Sequence, residues 1–174
     1  MNPRVALITG ASSGIGRALA VESVKRGYSV GLMARSAESL AETAALCSNQ
    51  IKYSNGTDNL KVFTFIGDVC LENDCRNFIE QSLLNLNRID VLINNAGFGT
   101  NKAFTMSTLE IEQQLLDVLV RTPMRLMHVA LPLMKQRNNG VVINVSSVAG
   151  YIAGGTYSAS KSYLTVLSES LHTE

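Results

Sequence analysis

Short apolar runs alternate along this chain with longer stretches of helical periodicity. Val5 to Ile8 form an apolar run with no polar alternation, and "YSVGLMA" at 28–34 forms a second. "KVFTFIG" from Lys61, "DVLIN" from Asp90 and "GVVINVS" from Gly140 supply three more. Between them the 3.6-residue period predicts helices over Ile15 to Arg26, Ala37 to Cys47, 71–86 and 107–137, and again from Tyr157 onward. Apolar strands separated by helices predict a parallel sheet covered on both faces. Right-handed crossovers then favour an α/β fold with doubly wound strand order 3-2-1-4-5. The polar stretch "SNQIKYSNGTDN", 48–59, reads as an exposed loop with a turn at "NG", and Pro123 and Pro132 are expected to kink or interrupt the long fourth helix.

Composition narrows the picture modestly. The chain has 174 residues, 46% hydrophobic and 17% charged, which suits one globular domain with a substantial core. A net charge of +1 supplies no electrostatic case for nucleic acid or an anionic membrane as a partner. The sequence shows no run long enough to span a bilayer and no signal-type opening, so the expectation is a soluble, cytoplasmic protein. Cys47, Cys70 and Cys75 make no even disulfide set, and neither they nor His128 and His172 have metal-ligand spacing; no metal is expected. The sequons at 55–57 and 144–146 are read as chance matches.

Chemistry enters at the turn after the first strand. "ALITGASSGIGRALA" sets Gly10, Gly14 and Gly16 between strand and helix, where glycines admit the backbone close to a pyrophosphate and helix amides hold its charge. Ser12 and Ser13 add hydroxyl donors. This points to a dinucleotide; a glycine-rich turn serving only helix packing is the plainer alternative. At the end of the second strand, "LMARS" offers no acid for a ribose 2′-hydroxyl, whereas Arg35 and Ser36 suit a 2′-phosphate, favouring NADP(H) over NAD(H).

Five motifs in order, "TGASSGIG" at 9–16, "GDV" at 67–69, "NNAG" at 94–97, "NVSSVAG" at 144–150 and "YSASK" at 157–161, resemble the single-domain branch of the short-chain dehydrogenases/reductases. The resemblance implies a Rossmann-type fold. It also implies that the 10–16 loop, with Ile15, holds the cofactor, that Asp68 and Val69 contact the adenine, and that Asn95, Ala96 and Gly97 line the cofactor. By the same resemblance Ser147 orients a carbonyl or hydroxyl, Tyr157 transfers the proton, and Lys161 lowers the tyrosine pKa and binds the nicotinamide ribose. A phenol near pH 10 and an ammonium near 10.4 need such tuning to act at neutral pH. Four residues apart on a helix, Tyr157 and Lys161 share a face.

The implied activity is hydride transfer between a nicotinamide cofactor and a carbonyl or secondary-alcohol substrate, with pairing of copies through the helices near 107–137 and 157–174. Two positions depart from the family. Leu119 stands where relatives carry an asparagine that serves a proton relay, and leucine cannot hydrogen-bond. The Ser147 to Tyr157 interval is a few residues short, with Ser146 as a second candidate for the serine. The last helical pattern runs to "SLHTE" without a cap, which reads as a single dinucleotide-binding domain over 1–174, cut before the family's last strands. These features motivate a second reading, an NADP(H)-binding protein with little or no catalysis, and a third, a purely structural or interaction domain.

Overall fold

The computed structural model describes residues 3–53, 59–100 and 102–173. Strands β1 (Arg4–Thr9), β2 (Tyr28–Ala34), β3 (Val62–Ile66), β4 (Val91–Asn94) and β5 (Val141–Asn144) form one parallel sheet in the order β3-β2-β1-β4-β5. The order is the one expected from the alternation of apolar strands and helices. Successive β1 side chains point to opposite faces, so Val5 and Leu7 enter one core while Ala6 and Ile8 enter the other. Helices α1 (Gly14–Lys25) and α2 (Ala37–Tyr53) cover the second face. The first is covered by α3 (Glu72–Leu86), α4 (Leu109–Leu116), α5 (Thr122–Gln136) and α6 (Gly155–His172).

Two expectations change. Helix α2 does not stop at Cys47 but continues to Tyr53, through half of the segment read as a loop. Cys47 is fully buried and Ile51, one turn on, packs against the same core, so an apolar stripe continues beneath a polar surface. The "NG" turn at 55–56 lies outside the described residues. The helix read as 107–137 is three pieces, because a π-helical turn, Asp117–Arg121, separates α4 from α5. Pro123 sits in the first turn of α5, where its missing N–H costs little, while Pro132 lies inside α5, which continues to Gln136.

Candidate functional site

The carboxyl ends of the strands open onto one cleft of about 1140 Å³. Of the residues singled out from sequence, Gly10, Ser12, Ser13, Gly14, Ile15, Arg35, Asp68, Val69, Asn95, Ala96, Gly97, Ser147, Tyr157 and Lys161 all line it. Gly16 does not. It is buried under the loop, where a Cβ would stand 2.2 Å from the Gly10 carbonyl oxygen, so its absence of a side chain lets β1 and α1 approach.

The glycine loop presents the start of α1 to the cleft. Ser13 precedes the helix in extended conformation, its side chain makes no capping bond, and the first turn contains no acid. The leading amides of α1 and the positive end of its dipole are therefore available to an anion. Gly14 adopts φ +53° with open space around its Cβ position, whereas a Cβ on Gly10 would lie 2.9 Å from Ala96 Cα. The cradle thus has the shape and the donors that a dinucleotide pyrophosphate requires.

Residues that the sequence reading missed hold this loop in place. Arg17 donates from Nη2 to the Ser12 carbonyl at 2.6 Å and from Nε to Thr43 Oγ1 at 3.0 Å, and pairs with Glu42 at 2.8 Å, pinning the loop to α2. Thr9, fully buried, accepts the Asn95 and Ala96 amides at 3.1 Å each. The Asn95 side chain turns back to donate to the carbonyls of Thr9 (3.0 Å) and Gly10 (3.3 Å). Although it lines the cleft, its amide is a stitch between β4 and the glycine loop.

At the adenine end, Arg35 is exposed beside the cleft, and Ser36 Oγ accepts the Ser39 amide at 3.3 Å as the cap of α2. Asp68 Oδ1 accepts the Cys70 amide at 2.9 Å while the Asp68 amide donates to Asp74 Oδ2 at 2.8 Å, which fixes the turn after β3.

At the other end, Lys161 is 5% exposed and donates from Nζ to the Val145 carbonyl at 2.6 Å. Burial holds its pKa below the ordinary lysine value. Nζ stands 5.8 Å from the centroid of the Tyr157 ring. Across from this pair runs the segment after β4: a Cβ on Gly99 would lie 3.7 Å from Tyr157 Cε2, and one on Gly97 would lie 4.0 Å from Lys161 Nζ.

The two serines separate clearly. Ser146 Oγ lies 3.0 Å from Thr165 Oγ1 and donates to the Lys161 carbonyl at 3.3 Å, tying the end of β5 to α6. Ser147 Oγ only accepts the Ala149 amide, at 3.1 Å, so its proton remains free to be donated. The short interval to Tyr157 closes through a 3-10 turn, Val148–Tyr151, and through Gly155 at φ +68°. Gly150 packs against the backbone of α6 and accepts a short hydrogen bond from Ser162 Oγ. Leu119, 2% exposed, packs into the core next to Gly97, and no group on it can bond to Lys161. Phe98, Gly99, Gln114 and Val118 also line the cleft. The first two simply follow "NNAG", but Gln114 and Val118 depend on the helix break, which left no mark in the periodicity.

Comparison with known proteins agrees with this geometry. The short chain dehydrogenase family model matches residues 4–174. The chain is 35% identical to 2-(R)-hydroxypropyl-CoM dehydrogenase of Xanthobacter autotrophicus, over 97% of this chain and 67% of that protein. It is 34% identical to an 11-beta-hydroxysteroid dehydrogenase-like protein of Arabidopsis thaliana, over 100% of this chain but only 57% of that one. L-sorbose reductase from Gluconobacter frateurii, solved with NADPH and L-sorbose, superposes with a TM-score of 0.88 at 29% identity, covering 99% of this chain and 64% of that chain. The chain therefore spans between roughly half and three quarters of the length of such relatives.

Proposed function

From the premise that this chain belongs to the short-chain dehydrogenase/reductase family, we propose that it is an NADP(H)-dependent oxidoreductase acting on a carbonyl or a secondary alcohol. The observation that carries the proposal is one cleft with an uncapped helix N-terminus at one end and Ser147, Tyr157 and Lys161 at the other. The amides opening α1 hold the pyrophosphate, and Arg35 pairs with the 2′-phosphate. Once bound, the nicotinamide supplies or accepts the hydride. Tyr157 donates its phenolic proton to the substrate oxygen in reduction and takes it back in oxidation. The Lys161 charge stabilises the phenolate left behind, and the low-polarity surroundings that depress the lysine strengthen that attraction. Ser147 donates a hydrogen bond to the substrate oxygen as charge develops there. Copies of the chain pair through the helices around α5 and α6, where Met124, Tyr163 and Val166 are exposed; light scattering on the purified protein tests this.

Tyr157→Phe tests the chemistry, since it removes the proton and keeps the ring beside Lys161. NADPH-dependent turnover across a panel of ketones should fall by roughly 100-fold or more, with NADPH affinity within about twofold of wild type. Undiminished turnover in this variant would sink the assignment.

A further inference from the structure

Glu112 is a buried acid that the reaction described above does not use. It lies in the first turn of α4 and is 8% exposed, yet it does not line the cleft. Among the described residues no lysine or arginine pairs with it, and its Oε2 has no hydrogen-bond partner; the buried Ser107 hydroxyl is likewise unpartnered. An uncompensated carboxylate under cover is costly, so the fold must place something favourable beside it. That something is the start of α6. The Thr156 hydroxyl, and secondarily that of Ser107, interact with the carboxylate and hold its pKa below the ordinary glutamate value. Helix α6 has no side-chain cap at Gly154 and no acid of its own in its first turn, so a negative charge supplied from α4 complements its positive end.

The position matters because Thr156 immediately precedes Tyr157. Glu112 and Leu115, three residues apart, point inward from α4, while Gln114 and the following Val118 form part of the cleft wall. One carboxylate therefore joins the helix that walls the cleft to the helix that carries the phenol and the ammonium. We propose that Glu112 is a positioning residue, which holds the first turn of α6 through Thr156 and so sets the placement of Tyr157 against Lys161 and the substrate oxygen. This inference rests on the assignment of Tyr157 as the proton donor.

The test is a double-mutant cycle of Glu112→Ala and Thr156→Val, with Glu112→Gln as the conservative variant. A misplaced acid should lower kcat by about tenfold in either single variant, because reaction rates are steeply sensitive to orientation. NADPH affinity should stay within about twofold, since the glycine loop and Arg35 lie at the other end of the cleft. The double variant should be no worse than either single one, and Glu112→Gln, whose amide oxygen still accepts from the hydroxyls, should recover most of the rate. Amide hydrogen exchange supplies a readout independent of turnover: protection of the first turn of α6 should fall while that of α1 and the sheet is kept. Additive losses, or an unchanged kcat in folded Glu112→Ala, overturn the proposal. So does a loss of protection spread over the whole domain. If the wild-type protein lacked turnover, the oxidoreductase reading would fail instead, and the exchange pattern alone would decide the role of Glu112.

Discussion

Replacing Gly16 by alanine should damage the cofactor cradle more than replacing Gly14, although Gly14 faces the cleft and Gly16 does not. A Cβ at Gly16 would stand 2.2 Å from the Gly10 carbonyl oxygen, 2.5 Å from Asn95 Nδ2 and 2.9 Å from the Gly10 carbonyl carbon. Relief requires the loop backbone to move by about 1 Å, since well-packed atoms tolerate little compression. Two of the three obstacles are main-chain atoms, and the third is the amide that stitches Asn95 to Thr9 and Gly10. Overpacking of this kind costs about 1–3 kcal/mol, and a rigid obstacle puts it at the upper end. At about 2–4 °C per kcal/mol for a domain of this size, the melting temperature should fall by roughly 6–12 °C. Displacement of the amides opening α1 should also weaken NADPH binding by about 100-fold if the strain falls mainly on the bound form. At Gly14 a Cβ meets nothing within 4 Å, and the cost is confined to φ +53°, about 1–2 kcal/mol. Differential scanning calorimetry and NADPH fluorescence titration of both variants provide the comparison. Equal or reversed effects would refute the reasoning, as would a Gly16→Ala protein with wild-type melting and affinity.

Ser147→Ala should reduce kcat by about 100-fold with little change in melting temperature, whereas Ser146→Ala should mainly lower stability by about 1 kcal/mol, because its hydroxyl serves α6; paired kinetic and thermal measurements separate them. Asn95→Ala removes both donors to the Thr9 and Gly10 carbonyls and should cost roughly 1–3 kcal/mol in urea unfolding. Burial pushes the thiols of Cys47 and Cys75 from 9.0 up to about 11. The unfolded chain ionises first, so their contribution is complete below pH 9.0 and is lost as pH rises toward about 11. Lys161, depressed by burial, acts in the opposite sense just below its ordinary pKa, but it is one group against several thiols. Denaturant unfolding under reducing conditions should show stability declining over this range, with a shallower decline in Cys47→Ala.

Much of the architecture was legible because its signals are local. Each strand declares itself by an apolar run, each crossover by a helical period, and the glycine loop by its place between β1 and α1. Parallel pairing and handedness then leave few arrangements. The site residues follow because the carboxyl ends of those strands must converge. What escaped depends on contacts distant in sequence. Arg17 gains its meaning from Ser39, Thr43 and Glu42 on another helix, and Thr9 from amides more than eighty residues away. Asn95 was identified, but the turn of its amide toward Gly10 was not. The extension of α2 escaped because polar side chains over 48–53 masked Ile51 beneath them. Glu112 read as an ordinary acid near a helix start, since nothing local reveals that α6 begins beside it.

The central claim is that this cleft binds a dinucleotide and selects the phosphorylated form through Arg35. Isothermal titration of the wild-type protein and of Arg35→Ala with NADPH and NADH tests it most directly. The account predicts one binding event per chain, with NADPH tighter than NADH by at least about tenfold, corresponding to about 1.4 kcal/mol, and a preference that disappears in Arg35→Ala. Absence of binding by either dinucleotide would contradict the claim outright, and an undiminished NADPH preference in Arg35→Ala would contradict the assignment of the phosphate-recognising residue.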